Sequence, residues 1–452
     1  MDDATTHESS SGGAARSSEA QTHLALTLVW SASEEEREGE LIFLARRGEP
    51  KERIIGRGSA GAIWLRQRPG ELLERGSLSD PKLSRQQLKI IRKSPNALEV
   101  HNLGRGDLVD PEGNVVHQAT IRVGQSFGIA KRALFYLDTR PALLTPFSTS
   151  ETYTKPSFGE ADLFGLAGES PAMWRLRAEL CATATQDVHT LVLGPSGAGK
   201  ELAARAIHAL SKRGKGPWVA QNAAAIPKSL LSAELFGNRQ GYPNPGTPER
   251  KGLVGRAHQG VLMLDEIGEL SHSAQAALLR VLDSGGSYQR LGEDRERRSD
   301  IRVLGVTNRP IETLKEDFSA RFSLQVKLPT LAERRADIPF ICRHLLGSAG
   351  VNRALGESFV RAMLRTPPAG EVRGLHAELM RAHRAKPEGP LEYYEIPEER
   401  GKRARGSESW SDADIKAALA AHYGDRSATA RALGLKDRYA LYRLLKARGI
   451  TL

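Results

Sequence analysis

The chain is poor in the features that staple or anchor small proteins. Its 452 residues hold only two cysteines, Cys181 and Cys342, far apart and without a metal-ligand pattern beside them. That excludes a disulfide scaffold or a zinc module and points to a reducing compartment. No run reaches the ~18 apolar residues of a membrane span. No membrane partner is therefore expected, and the chain is read as cytoplasmic. Residues 1–22 are acidic and then Ser/Gly/Ala-rich, a disordered leader rather than a signal peptide. Acidic residues are also the minority, 54 against 65 Lys and Arg, which leaves a net charge of +11. Such an excess suits an acidic partner, of which nucleic acid is the usual one.

The length suggests about three domains at ~150 residues each, and the texture changes accordingly. Residues 23–140 carry short strand-like runs ("LALTLVW", "LIFLARR", "AIWLRQR", "LKIIRKS", "ALEVHNL", "VVHQATIRV", "LFYLDTR") separated by Gly, Asp, Pro and Ser clusters. This spacing predicts an antiparallel β-sandwich. A polar linker follows over 141–162. Residues 163–385 alternate helical and apolar strand patterns, the mark of an α/β domain with a parallel sheet. A charged linker spans 386–410, and residues 411–452 are all-α in pattern.

The chemistry lies in the middle domain. "LVLGPSGAGKEL" reads as strand, glycine loop and helix, with Gly194, Pro195, Ser196, Gly197, Ala198, Gly199 and Lys200 in the frame of a P-loop. Glycines let successive N–H groups turn toward phosphate oxygens, and Lys200 would reach the β and γ phosphates of ATP. Glu201 stands where a Mg²⁺-binding Ser or Thr is usual. Further on, "GVLMLDEIGEL" places four apolar residues before Asp265-Glu266. A strand buried on both faces would deliver both carboxylates to the ligand edge of the sheet. Asp265 would hold Mg²⁺ and Glu266 would orient the attacking water.

Residues from about Gly165 to Arg381 resemble the AAA+ domain of bacterial enhancer-binding proteins, the ATPases that activate sigma-54 RNA polymerase. The resemblance runs through "GESPAMWRLRAEL", "GPSGAGKELAARAIH", "VAQNAAAIPKSLLSAELFG", "VLMLDEIGELSHSAQAALLRVL", "VLGVTNRPI" and "LPTLAERRADIP". In that family Glu commonly follows the P-loop Lys, which accounts for Glu201. The resemblance implies that Asn222 holds the catalytic Glu until ATP is sensed, and that Asn308 touches the γ phosphate. It makes Arg373 the lid arginine and Arg321 an arginine finger supplied to a neighbouring subunit, hence a homo-oligomer, by resemblance a hexamer. Two positions depart from the family. The second finger is Lys315 rather than Arg, a point charge without a planar fork, so slow turnover is expected. The lid motif "WPGNVREL" has become "PAGEVRGL".

The third departure is the largest. Where the family has "GAFTGA", the loop that grips sigma-54, this chain has Gly241, Tyr242, Pro243, Asn244, Pro245 and Gly246. Both glycines survive, but Pro and Asn replace the central Phe and Thr, and Tyr242 offers an aromatic one place early. Proline fixes φ, so the loop is expected to be stiff and sigma-54 activation weak or absent.

Residues 23–140 resemble forkhead-associated domains, which bind phosphothreonine peptides. The likeness rests on "IIGRGSAG", "LSRQQLKI" and "NLGRGDLVDPEG". It implies that Arg57 and Ser84 hold the phosphate, with Arg85 and Gly106 beside them. Gln87 stands for the usual His, and Arg105 for the Asn that clamps the peptide backbone. Residues 411–452 resemble the Fis-type helix-turn-helix. Lys436, Arg438, Tyr442, Arg443 and Lys446 are the candidate DNA contacts, in a segment (401–452) with 11 Lys and Arg against 5 acids. The turn is one residue longer than the family norm.

The expectation is thus a transcription regulator that binds upstream DNA and RNA polymerase, under control of a Ser/Thr kinase acting on a partner or on this chain. Two alternatives belong to other classes. One is a DNA-binding regulator that does not remodel sigma-54 holoenzyme. The other is a phosphothreonine-binding adaptor with a decayed ATPase.

Overall fold

The protein is described from a computed structural model, over residues 22–44, 52–58, 62–147, 153–227, 229–283 and 285–394 and nine positions between 415 and 445. The chain divides into two compact units, Met1–Tyr393 and Tyr394–Leu452.

Among the described residues the first unit opens with twelve strands: β1 (Thr22–Ser31), β2 (Leu41–Leu44), β3 (Glu52–Ile55), β4 (Trp64–Arg68), β5 (Glu71–Arg75), β6 (Leu88–Ser94), β7 (Ala97–Asn102), β8 (Leu108–Val109), β9 (Val115–Val116), β10 (Gln118–Arg122), β11 (Ser126–Ile129) and β12 (Ala133–Pro141). They form an eight-stranded sheet, β5-β4-β2-β1-β12-β11-β8-β9, and a four-stranded one, β10-β7-β6-β3. Alternation sends Leu24, Leu26, Leu28, Phe135 and Leu137 inward, where they meet Ile55, Leu88, Ile90, Leu98, Val100 and Ile121 of the facing sheet. "VVHQATIRV", expected as one strand, is two. β9 pairs with β8 in one sheet and β10 with β7 in the other. The chain changes sheets at His117, whose carbonyl accepts from Asn102 N at 2.8 Å.

The core of the middle region is a parallel sheet, ordered β14 (Trp218–Asn222), β15 (Val261–Asp265), β18 (Arg302–Thr307), β13 (Thr190–Leu193) and β19 (Leu324–Lys327). An antiparallel hairpin, β16 (Ser287–Gln289) and β17 (Glu296–Arg298), lies outside it. The apolar run of β15 is buried on both faces. Val261 and Met263 pack toward α1 (Pro171–Thr185) and α2 (Lys200–Leu210). Leu262 and Leu264 pack toward α3 (Leu231–Phe236), α4 (Gly252–Arg256) and α5 (His272–Leu282). After the four-residue α6 (Glu316–Ser319), helices α7 (Ile338–Ser348), α8 (Glu357–Arg365) and α9 (Glu371–Ala385) make the lid.

The outer face of the large sheet is covered over β1 and β12. Val29, Trp30, Leu134 and Tyr136 share one core with Ile341, Leu355, Phe359 and Leu375 of the lid region. Trp30 Nε1 donates to the Leu355 carbonyl at 2.8 Å. Arg343 pairs with buried Glu38 and, at 3.1 Å, with Glu35. Burial pushes the Glu38 carboxyl up to about 7, against the pull of Arg343.

Both expected linkers are partly ordered packing instead. In 141–162, Tyr153 is buried against Cys181 and Leu210, and Arg68 donates to the Pro156 carbonyl at 2.8 Å. Beyond 385, Leu391 is buried and bridged to Leu355, while Arg353 holds the Gly389 carbonyl at 2.6 Å. Lid packing therefore continues past the boundary that charge and proline suggested. Among the described residues no helix is long and apolar enough to cross a membrane.

Candidate nucleotide site and its accessory loops

β13 ends at Leu193, and α2 begins at Lys200 with Gly199 as its left-handed cap (φ 101°). Gly197 is also left-handed (φ 84°). A Cβ there would lie 2.2 Å from the Gly370 carbonyl and 3.0 Å from Arg373 Cβ. The lid thus rests directly on the glycine loop, and Arg373 donates to Ser196 Oγ at 3.4 Å. Lys200 is only 8% exposed, and its Nζ donates to the Pro195 carbonyl at 3.0 Å. Burial lowers its pKa; Glu266 and Asp265 act the other way, and Arg373 adds to the lowering. These groups therefore share one electrostatic neighbourhood. Glu201 points along the helix surface to Arg205 at 2.8 Å and holds no place in the cradle.

Asp265 closes β15, and its Oδ1 accepts from Glu266 N at 2.9 Å. Glu266 is held at φ 52°, a conformation that costs a non-glycine residue ~1–3 kcal/mol and recurs at functional sites. Asn222 lies opposite Asp265 in the parallel register. Its side chain caps the following turn, accepting from Ala224 N at 2.8 Å; no hydrogen bond joins it to Glu266. Leu193 pairs with Thr307, so Asn308 emerges beside the glycine loop, exposed. Lys315 is exposed at the start of α6, its N–H bound to Gln275 Oε1 at 3.0 Å. Arg321 is paired with Asp283 of its own chain at 2.7 Å, both about half exposed. Asp283 carried no sequence signal, because the pair joins separate segments. Neither Lys315 nor Arg321 bonds to the glycine loop.

The cradle fits a polyphosphate: left-handed glycines where a Cβ would collide, a desolvated Lys and a lid Arg. Among the described residues no group of three or more metal-ligating side chains occurs. Asp265 offers one carboxylate, which suits Mg²⁺ held jointly by protein and phosphates.

The loop at 241–246 is built differently. Asn238, 4% exposed, closes its base, with Nδ2 within hydrogen-bonding distance of the carbonyls of Arg239 (3.0 Å), Tyr242 (3.2 Å) and Pro248 (2.9 Å). Gly241 N donates to Thr247 O at 2.8 Å. Tyr242 does not crown the tip. It is 37% exposed and folds down on Gly292 of the β16–β17 hairpin, where a Cβ would meet its ring at 2.4 Å. Pro243, Asn244 and Pro245 are left exposed beyond it. A groove of about 790 Å³ lies between loop and hairpin, lined by Phe236, Tyr242, Tyr288 and Arg290 among others.

In the sandwich, the expected peptide residues come together. Arg57 N donates to Ser84 O at 3.0 Å, and Arg105 N to Ser84 Oγ at 3.1 Å. Gly106 O accepts from Asn102 Nδ2 at 2.8 Å and from Gln87 Nε2 at 3.2 Å. Arg85 is exposed beside Ser84. In the second unit, Ile415, Leu419, Ala430, Leu433, Leu441, Leu444 and Leu445 form a core, and Tyr442 is exposed. Lys436, Arg438, Arg443 and Lys446 lie outside the described residues.

Residues 166–332 match the family model described as Sigma-54 interaction domain. The anaerobic nitric oxide reductase transcription regulator NorR of Aeromonas hydrophila is 36% identical over 324 residues, 63% of this chain and 63% of its own. The Nif-specific regulatory protein of Azotobacter vinelandii is 38% identical over 228 residues, 48% of this chain and 44% of its own. Among solved structures, NtrX from Brucella abortus in complex with ADP is 31% identical, covering 64% of this chain and 70% of that one, with a TM-score of 0.47. The chain spans about 63% of the length of the NorR relative. The glycine loop on a parallel sheet with a helical lid above it thus lies in a segment, residues 166–332, that matches the Sigma-54 interaction domain, within a chain similar over 63% of its length to a NorR transcription regulator.

Proposed function

We propose that this chain is an ATP-hydrolysing transcription regulator. Its C-terminal module binds upstream DNA, its ATPase domains assemble into a ring, by resemblance a hexamer, and its sandwich senses a phosphothreonine partner. The observation that carries the reading is the meeting of Lys200, Asp265, Glu266 and Arg373 at the glycine loop. Lys200 and the loop N–H groups would bind the phosphates. Asp265 would share Mg²⁺ with them. Glu266, held on a strained turn, would orient water. Bound Mg²⁺ would supply charge neutralisation at the phosphates.

Ring assembly completes the site with a neighbour's Arg321. That side chain must first leave Asp283, so turnover depends on protein concentration. Lys315, a single point of charge at the second finger position, keeps turnover slow. The test is steady-state phosphate release with Mg²⁺ across a range of protein concentrations. Glu266→Ala is expected to keep ATP binding and to lose turnover by about a hundredfold or more. Equal turnover in wild type and variant overturns the assignment.

A second reading concerns polymerase, and the loop geometry favours it. With Tyr242 folded onto Gly292, the tip is Pro243-Asn244-Pro245 and offers no aromatic group. The chain then binds DNA and ATP without opening sigma-54 promoters efficiently, acting as a repressor or as a modulator of another activator. Open-complex formation at a sigma-54 promoter, comparing wild type with a Pro243→Phe/Asn244→Thr variant, separates the two. Robust opening by wild type removes the second reading.

A further inference from the structure

We infer that the sandwich loop cluster takes a ligand with two anionic groups, a phosphothreonine and a second phosphate or carboxylate close to it in sequence. This rests on the phosphopeptide reading above and narrows it.

The cluster is preorganised by backbone and amide contacts. Gly56 lets its loop approach so closely that a Cβ would lie 2.3 Å from the Arg85 carbonyl. Gln87, only 1% exposed, ties these loops together, its backbone N–H donating to the Ile55 carbonyl at 2.9 Å just before the Arg57 loop. Its Oε1 accepts from Ser84 N at 3.1 Å, and its Nε2 donates to Asn102 Oδ1 at 2.8 Å and to Gly106 O. An amide does this without titrating, so the scaffold keeps its shape across the physiological pH range. Ser84 Oγ accepts from Arg105 N, which leaves the hydroxyl proton free for a phosphate oxygen.

The charge on this scaffold exceeds what one phosphate needs. Arg57, Arg85 and Arg105 come from three different loops, and Arg85 and Arg105 are exposed. None of the three side chains has an ion-pair partner among the described residues. The only carboxylate within residues 56–61, 82–87 and 103–107 is Asp107. A phosphate monoester carries ≈ −1.5 to −2 charges at pH 7, which Arg57 and the Ser84 hydroxyl can meet. Arg105 is left over. A guanidinium has five donors and no acceptor, so it cannot receive a peptide N–H. The amides of Asn102 and Gln87 are spent internally, on each other and on Ser84 and Gly106. Arg105 therefore selects for an anion beside the phosphothreonine rather than for peptide backbone.

The experiment uses the full chain and fluorescent peptides of equal length. One is unphosphorylated and one carries a single phosphothreonine among neutral residues. A third set walks a phosphoserine from two places before to four places after that phosphothreonine. The expected result is a gain of about tenfold or more confined to one or two positions of the second phosphate. Arg105→Ala should abolish that gain while the singly phosphorylated peptide keeps its affinity within about threefold, and Arg57→Ala should remove both. Arg105→Asn, a second exposed change, should shift preference toward the singly phosphorylated peptide. Equal affinity for one and two phosphates, or a gain spread evenly over all positions, overturns this inference and leaves the phosphopeptide reading intact. No phosphopeptide binding at all overturns both.

Discussion

Two glycine-bracketed loops of the parallel-sheet domain invite comparison, Gly194–Gly199 and Gly241–Gly246. In both, glycines hold positive φ: 84° and 101° at Gly197 and Gly199, 77° and 92° at Gly241 and Gly246. Their surroundings are opposite. A Cβ on Gly197 would strike the Gly370 carbonyl, whereas one on Gly241 or Gly246 would meet nothing within 4 Å. In the first loop glycine serves close approach as well as conformation. In the second it serves conformation alone, and the loop faces outward on a base tied by Asn238. The same residue type, read from sequence, marks an enclosed cradle in one place and an exposed arm in the other.

The comparison makes ordered predictions. Gly197→Ala should have the largest effect, because strain and the collision with Gly370 act together. Nucleotide affinity, measured by titration with a fluorescent ATP analogue, should fall by about a hundredfold, about 3 kcal/mol. Affinity within threefold of wild type would mean that the lid can lift freely off the loop. Asn238→Ala comes next. It strips a buried donor from several carbonyls and should cost ~1–3 kcal/mol in chemical denaturation, with proteolysis appearing first within 239–250. Gly241→Ala and Gly246→Ala should each cost only ~1 kcal/mol, the left-handed penalty without a collision, and leave ATP turnover unchanged. A loss of turnover in either would show that the arm reports back to the cradle.

An effect of a different kind sharpens the contrast through pH. The folded chain holds Glu38 with its pKa raised to about 7, above the usual ~4.3 of an unfolded chain. The folded state therefore binds more protons than the unfolded one between those values, and stability falls as pH rises through that window. Glu38→Gln should flatten this part of the stability profile, read by thermal melts from pH 5 to 8. Neither loop's behaviour should change with it.

Much of the site was legible because its signals are local. Gly194 to Lys200 and Asp265-Glu266 each lie on one strand end and the turn after it, so spacing alone places them. The sandwich strands were legible where alternation is clean, as in Leu88–Ser94. What escaped depends on partners distant in the chain. The fold of Tyr242 onto Gly292 and the pairing of Arg321 with Asp283 leave no trace in spacing. β9 and β10 were merged because nothing near His117 breaks the apolar pattern. The nearly continuous apolar runs "LALTLVW" and "LFYL" did carry information: a strand apolar on both faces is covered on both faces. They could not say by what.

That covering has a consequence for how such proteins are taken apart. Val29, Trp30, Leu134 and Tyr136 belong at once to the sandwich and to the lid's interior. A cut between the two halves would bare an apolar face on each, a liability for solubility. Regulators of modular design are treated as interchangeable parts, with an input piece that can be exchanged while the engine runs on. Here any domain put in the sandwich's place would have to supply an apolar face to cover Ile341, Leu355 and Phe359.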